Sequence, residues 1–158
     1  MLELVLKKKW YDMIDSGEKK EEYRELKPYW WTRIFESPYH KMRDDLTTLS
    51  EGGYAQKHYT VRFRLGYRKD APQMIWRMNF NVIGKAKPEW AEGNMNKVIV
   101  LPLRDRLSDE ALELWKQHPV KGERYSFCPS DIPLLDELEK FKLIKPLRDE
   151  WGVNAIRL

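Results

Sequence analysis

The chain has 158 residues, a net charge of +4 at pH 7, 42% hydrophobic residues and 34% charged residues. This composition excludes a disordered protein and fits one globular domain with its own core. No apolar run approaches the roughly 20 residues that a membrane-spanning helix needs, and the lysines of the opening MLELVLKKKW follow the apolar residues, the reverse of a signal peptide. The single cysteine, Cys128, excludes an internal disulfide and a multi-cysteine zinc site, so we expect a cytoplasmic protein without metal or cofactor.

Positive charge is concentrated in the middle of the chain. Residues 40–106 carry 13 Lys and Arg against 7 Asp and Glu, whereas residues 1–39 carry 8 of each. A basic sheet face with aromatic neighbours suits phosphate backbones and stacked bases, although lysines and arginines also keep a small protein soluble. We therefore predict affinity for single-stranded RNA, with solubility as the alternative explanation.

The chain begins with a predicted strand and a short helix. Leu2–Leu6 is short and apolar-rich, which is typical of a strand. The apolar residues from Trp10 to Ile14 follow i, i+3, i+4 spacing, which indicates one face of a helix, and Gly17 is a natural residue for its C-terminal end.

A second strand and a second helix follow. Lys20–Leu26 is predicted to be a strand despite its charge, because Pro28 disfavours helix just before it. The same proline favours the start of a helix over Tyr29–Phe35. Residues 36–58 are polar and turn-rich, which predicts a loop or an insertion.

The next predicted elements are strands that alternate in hydrophobicity. They are Tyr59–Leu65, Met74–Ile83 and Val98–Leu103. In the first of them the alternation predicts Val61 and Phe63 in the core and Arg62 and Arg64 at the surface. Five or six strands with two short helices and no βαβ periodicity predict a small, mostly β barrel.

Residues after Arg106 have a helical pattern. Ser108 is suited to cap one helix, Ile132–Ile144 is amphipathic, and a last helix is predicted over Leu147–Trp151, ending at Gly152. We therefore predict a helical C-terminal extension over residues 105–158 that packs on the barrel and offers a surface to a protein partner.

The residues Gly17-x-Lys19-x-x-Glu22-x-Arg24 match the GxKxxExR signature of ASCH domains, a group of the PUA-like superfamily. The flanking sequence resembles the phage and bacterial branch of that group over roughly residues 2–104. The segments that carry this resemblance are Leu4–Lys7, Arg64–Tyr67, Ala71–Met74, Ile83-Gly84, Lys87–Trp90 and Val98–Val100.

This resemblance implies an α+β fold, a PUA-like small β-barrel with rim helices, and a cleft lined by the signature residues. The superfamily commonly binds RNA; some ASCH members look like nucleases that act on single-stranded RNA, and others hydrolyse the amide of 4-acetylcytidine. In the acetylcytidine amidohydrolases a threonine, thought to be the nucleophile, stands where this chain has Glu22. That departure leaves water activation or binding without chemistry.

Strand alternation puts Glu22 and Arg24 on one face, and Lys19, in the turn after Gly17, can reach the same cleft. In such a cleft Arg24 would bind a phosphate or a base carbonyl, while Glu22 and Lys19 would form a catalytic proton-transfer pair. Lys7, at the end of the first strand, is expected at the cleft mouth. The alternative is an ordinary surface ion-pair cluster, worth about 0–1 kcal/mol.

Further ligand contacts are predicted from two arginines and two tryptophans. Arg62 and Arg64 would contact phosphates from their strand face. Trp90 would stack on a base at the rim, and Trp30, or its neighbour Tyr29, would either do the same or fill the core. The function predicted from the sequence is thus binding of single-stranded RNA or a modified nucleoside. The alternatives are hydrolysis by the same cleft and a protein-interaction module.

Overall fold

The computed structural model of this protein describes residues 1–36, 55–93, 96–149 and 152–158. The chain divides into two compact units, Met1–Asp105 and Arg106–Leu158. The boundary predicted from the sequence, between residues 104 and 105, is one residue earlier. The predicted packing of the extension on the barrel stays a prediction. Most of the loop predicted at 36–58 lies outside the described residues.

The first unit follows the predicted order of strand, helix, strand and helix. Its elements are β1 (Leu2–Leu6), α1 (Lys8–Asp15), β2 (Glu21–Glu25), α2 (Pro28–Ile34), β3 (Thr60–Leu65), β4 (Gln73–Met78), β5 (Val82–Gly84) and β6 (Val98–Arg106). A 3₁₀ turn at Pro88–Trp90 precedes β6. Proline is tolerated at the first position of α2 because the N–H that it lacks has no intrahelical partner there.

The strands of this unit form a curled mixed sheet, a half-barrel. Its strand order is β1-β3-β4-β6-β2. The short strand β5 also pairs with β6 and stands outside this linear order. β1 and β3 are parallel, whereas β3 with β4 and β2 with β6 are antiparallel. The prediction of an α+β fold with a small barrel-like sheet is confirmed at this level, and β1 and β2 are the two edges of the strand order.

The core lies on the inner face of the sheet beneath the two helices. Val61 and Phe63 are fully buried, while Arg62 and Arg64 are partly exposed, as the alternation predicts. The helices add buried side chains to the same cluster: Tyr11, Ile14, Trp31 and Ile34. Full burial of a large apolar side chain contributes about 1.5–3 kcal/mol, so this cluster fixes both helices on the sheet.

The end of α1 confirms the role predicted for Gly17. This residue has φ +78°, a left-handed conformation that costs other residues energy, and its N–H donates to Ile14 O at 3.0 Å. The N–H of Lys19 then donates to Met13 O at 2.8 Å. These bonds turn the chain sharply and fix the start of the segment that leads into β2.

The strand predicted over Met74–Ile83 is two strands, and the prediction of one continuous strand is wrong. β4 ends at Met78 and β5 begins at Val82. Between them Asn81 is buried and its N–H donates to Gln56 Oε1 at 2.8 Å, while Phe80 is exposed. A side-chain amide replaces a ladder partner there, and an alternating pattern alone does not reveal such a break.

The second unit combines two helices with a three-stranded antiparallel sheet. Its elements are α3 (Asp109–Gln117), β7 (Arg124–Phe127), α4 (Ile132–Lys140), β8 (Ile144–Asp149) and β9 (Gly152–Arg157), with strand order β7-β9-β8. Ser108 caps α3 as predicted, accepting from Ala111 N at 3.2 Å. Its hydroxyl also donates to Glu137 Oε2 at 2.6 Å, which joins the two helices.

The prediction that residues 105–158 are purely helical is therefore corrected. Leu147 lies in β8 rather than in a last helix, and Gly152 begins β9. The segment Leu147–Trp151 is too short to offset the cost of nucleating a helix, whereas pairing along the whole of β8 satisfies its backbone groups. Within the part of the chain that the structure describes, no helix is long and apolar enough to cross a membrane.

Candidate functional site

A cleft of about 570 Å³ lies between the two edge strands of the half-barrel. Its walls include residues 3–7, from β1 and its end, and residues 22–25 of β2. Aromatic and charged side chains from α1, α2 and two loops complete it: Trp10, Tyr29, Trp30, Arg33, Tyr67 and Trp90. Small-molecule pockets commonly measure about 300–1,000 Å³, so the cleft has room for a nucleoside.

The three charged signature residues meet at the buried floor of this cleft. Lys19 Nζ lies 2.8 Å from Glu22 Oε2, and Arg24 Nη1 donates to Glu22 Oε1. The side chains of Lys19, Glu22 and Arg24 are 2%, 5% and 13% exposed. This burial excludes the ordinary surface ion-pair cluster, whose members keep their charges in water.

The register of β2 explains why Glu22 and Arg24 point the same way. They pair with Leu101 and Ile99 of β6, both members of the inner core cluster. Tyr23, between them, points to the opposite face and packs in a separate cluster. Two charged residues therefore occupy inward positions of an edge strand, a placement that requires partners for their charges.

Lys19 is held by a carboxylate, a carbonyl and the rings of Trp10 and Tyr23. Its Nζ donates to Trp90 O at 2.8 Å and lies 4.3 Å from the centre of the Trp10 ring. Burial lowers the pKa of the Lys19 ammonium below its usual value, and the Glu22 carboxylate opposes part of that shift. A lysine in a cleft with a pKa lowered by burial is a common feature of functional sites.

Arg24 uses only part of its hydrogen-bonding capacity within the protein. Its Nη1 donates to Glu22 and, at 2.6 Å, to the carbonyl of Tyr23. Its Nε is buried and has no hydrogen-bond partner among the described residues. The guanidinium lies 5.0 Å from the ring centre of Trp30, within cation–π range.

Tyr23 fixes the loop that carries Trp90 to the cleft. Its hydroxyl donates to Glu21 Oε2 at 2.8 Å and accepts from Lys87 N at 3.2 Å. Burial raises the pKa of this phenol. The loop is further held where the Lys87 ammonium lies 4.1 Å from the Trp90 ring centre. A residue buried on the outer face of β2 thus positions the wall of a site on its inner face.

Lys7 lies at the cleft mouth, where the sequence predicted it. Its Nζ is 2.7 Å from Glu92 Oε2, and both side chains are exposed. The hydrogen bond and charge of Lys7 lower the pKa of the Glu92 carboxyl. Because the pair is solvated, the cation at the mouth is largely neutralised without being fixed tightly.

Two predicted ligand contacts do not lie in this cleft. Arg62 forms an ion pair with Glu3, and Arg64 donates to the carbonyl of Arg68. Neither arginine lines the cleft, although Glu3 does. The structure therefore brings together Lys7, Lys19, Glu22, Arg24, Trp30 and Trp90, and leaves the β3 arginines on a separate surface.

Arg33 and Tyr67 are among the cleft residues that sequence reasoning missed. Arg33 follows Tyr29 and Trp30 by four and three positions on α2, a spacing that places all three on one helix face. Tyr67 comes directly after Gly66, which has φ +86°, and is 87% exposed beside the cleft. The helical spacing was a usable signal for Arg33, and the signal for Tyr67 was its place in Arg64–Tyr67, one of the segments that carry the resemblance.

Comparison of the chain with protein-family models, with curated proteins and with solved structures finds no match. Among the described residues, no three His, Cys, Asp or Glu side chains are grouped as a metal site would require.

Proposed function

We propose that this cleft binds a nucleobase, presented by single-stranded RNA or by a modified nucleoside, and that the first unit is an ASCH-type domain of the PUA-like superfamily. One observation carries the proposal. Lys19, Glu22 and Arg24, the charged positions of the GxKxxExR signature, converge on the floor of one cleft of nucleoside size.

The chemistry of the cleft suits a flat, polar ligand. A base needs donors and acceptors at its edge and aromatic surface at its face, where stacking contributes about 1–3 kcal/mol. The Arg24 guanidinium, whose side chain is 13% exposed, offers donors at the floor. Tyr29 and Tyr67 are exposed aromatic side chains at the walls, where they can stack on a base.

Binding is favoured over hydrolysis by how Glu22 is held. Both of its oxygens already contact cations, and its side chain is 5% exposed. The water molecule that would attack a substrate therefore has little access to it. The carboxylate is better placed to orient Lys19 and Arg24 than to remove a proton from water.

Hydrolysis by Lys19 and Glu22 is the second candidate, and the lowered pKa of Lys19 favours it. A lysine that loses its proton more readily can exchange protons with a leaving group. The substrates would be those of the ASCH group, single-stranded RNA or an acylated cytidine.

The test is equilibrium binding of the full chain to a labelled single-stranded RNA, to the same sequence as a duplex, and to 4-acetylcytidine. We expect binding of the single strand that weakens as salt rises, and we expect Arg24→Ala to weaken it about tenfold or more. Arg104→Ala is the matched control, because this exposed arginine pairs with Asp105 and does not line the cleft.

Two further arms separate the alternatives. Arg62→Ala combined with Arg64→Ala should flatten the salt dependence only if RNA also contacts the β3 surface. Release of acetate from 4-acetylcytidine, followed by NMR, would establish the hydrolytic candidate. A chain that binds none of these ligands at low salt would contradict the proposed function.

A further inference from the structure

We propose that Arg24 and Arg33 form an anion subsite beside α2 that binds the phosphate group of a nucleotide. The ligand of the cleft is then a nucleotide or an oligonucleotide rather than a free nucleoside. This inference rests on the proposed function and adds to it the class of ligand that the cleft prefers.

The charges that line the cleft do not balance locally. Among the described residues they are four cations and four carboxylates: Lys7, Lys19, Arg24, Arg33, Glu3, Glu22, Glu25 and Glu92. Two of the carboxylates pair with cations that do not line the cleft, Glu3 with Arg62 and Glu25 with Lys27. The other two carboxylates face four cations, which leaves two positive charges to the cleft.

This excess lies beside α2. At the mouth, Glu92 neutralises Lys7, and at the floor one carboxylate, that of Glu22, is shared by Lys19 and Arg24. Arg33 makes no ion pair in the part of the chain that the structure describes. The unbalanced cations are therefore Arg33 and one of the two that share Glu22.

Arg33 is fixed in place by neutral groups. Its Nη1 donates to the Tyr29 hydroxyl at 2.6 Å, and its Nη2 donates to Glu3 O at 3.4 Å. Its guanidinium lies 5.4 and 5.5 Å from the ring centres of Tyr29 and Trp30. These contacts orient the side chain without cancelling its charge, so the position is prepared for an anion that none of the described residues supplies.

Both guanidiniums lie within cation–π range of Trp30. Arg24 lies 5.0 Å and Arg33 lies 5.5 Å from the centre of the same indole ring. With two cations at its ring, Trp30 is better suited to hold the arginines than to stack on a base, which leaves Tyr29 and Tyr67 for stacking. The sequence-based prediction for Trp30 is revised in this way.

The phosphate is the anionic group that a nucleotide or nucleic acid offers, and it suits this pair of arginines. Two planar guanidiniums can donate to separate oxygens of one phosphate, the geometry for which arginine is favoured over lysine. Both arginines line the cleft, and the Arg24 side chain is 13% exposed there. A neutral nucleoside would leave the local positive charge unbalanced.

The test is calorimetric titration of the full chain with the four common ribonucleosides, with their 5′- and 3′-monophosphates, and with inorganic phosphate. We expect at least one monophosphate to bind about tenfold more tightly than its nucleoside, the effect of one added charge-assisted contact. Arg33→Gln should remove that preference while changing nucleoside affinity less than about twofold. Arg104→Gln should leave both affinities unchanged.

A second variant tests how Arg33 is positioned. Tyr29→Phe keeps the ring and removes the hydroxyl that accepts from Arg33, so it should reduce the phosphate preference about threefold. Equal affinity for nucleoside and monophosphate, or a preference that survives in Arg33→Gln, would overturn the subsite and leave the proposed function intact. Binding of inorganic phosphate through Arg33, with no binding of any nucleoside or nucleotide, would show an anion site but refute both its assignment to a nucleotide and the proposed base binding.

Discussion

Replacement of Glu22 by glutamine keeps the shape of the side chain and removes the charge that two buried cations share. Lys19, at 2% exposure, would keep the Trp90 carbonyl and two aromatic rings as partners. Arg24, at 13%, would keep the Tyr23 carbonyl and the Trp30 ring. Removing one member of a buried ion pair costs about 3–5 kcal/mol. The glutamine oxygen can still accept from one cation, so we expect about 3 kcal/mol.

The assay is urea and thermal unfolding of the full chain. A loss of that size corresponds to a fall of about 10–20 °C in the Tm of a unit of this length. Glu25→Gln is the matched control on the same strand, because Glu25 and Lys27 are 56% and 64% exposed. An exposed pair of this kind contributes about 1 kcal/mol or less.

A double variant isolates the cause. If the unpaired charge of Lys19 is what destabilises Glu22→Gln, adding Lys19→Met should recover part of the loss, and the double-mutant cycle should give a coupling of about 0.5–3 kcal/mol. A Glu22→Gln variant that is no less stable than Glu25→Gln would refute the reasoning that the cluster is buried. Because Glu22→Gln is expected to lose stability, the folded fraction of this variant must be measured before a loss of binding or activity is attributed to the site.

Three other predictions concern the pKa of Lys19, the pKa of Tyr23 and the turn at Gly17. NMR of methylated lysines should show Lys19 titrating below the usual lysine pKa, and lower still in Glu22→Gln. Between the lowered pKa of the folded protein and the usual value, the unfolded chain binds more protons. Over that pH range the contribution of Lys19 makes the free energy of unfolding rise with pH. Burial raises the pKa of Tyr23, so above pH of about 10 the unfolded chain loses a proton that the folded protein keeps, and stability should fall with rising pH, less so in Tyr23→Phe. Gly17→Ala should cost about 1–2 kcal/mol in urea unfolding through its φ of +78°, and should weaken RNA binding by displacing Lys19, whereas an unchanged stability would contradict the αL assignment.

Local rules were sufficient to predict the backbone around the signature. A glycine after a short amphipathic helix predicts the left-handed turn at Gly17, and strand alternation predicts that Glu22 and Arg24 share a face. The same alternation predicts Val61 and Phe63 in the core. Each of these inferences depends only on residues within a few positions of one another.

What the sequence could not predict depends on contacts between distant segments. Lys19 is buried because the carbonyl of Trp90 arrives 71 positions later in the chain. Leu147 lies in a strand because β8 and β9 pair, which overrides the weak helical propensity of a short segment. Arg62 is held by Glu3 because β1 and β3 are parallel neighbours, with these two residues opposite each other.

The central claim is that the Lys19, Glu22 and Arg24 cleft holds a base. The most direct measurement is an amide-resolved NMR titration of the full chain with a short single-stranded RNA. The account predicts saturable shifts concentrated at residues 3–7, 22–25, 29–33 and 90–92, and in Arg24→Ala the same shifts should need about tenfold or more RNA to reach half-saturation. RNA that saturates the protein while leaving these residues unshifted would contradict the claim and place its binding surface elsewhere.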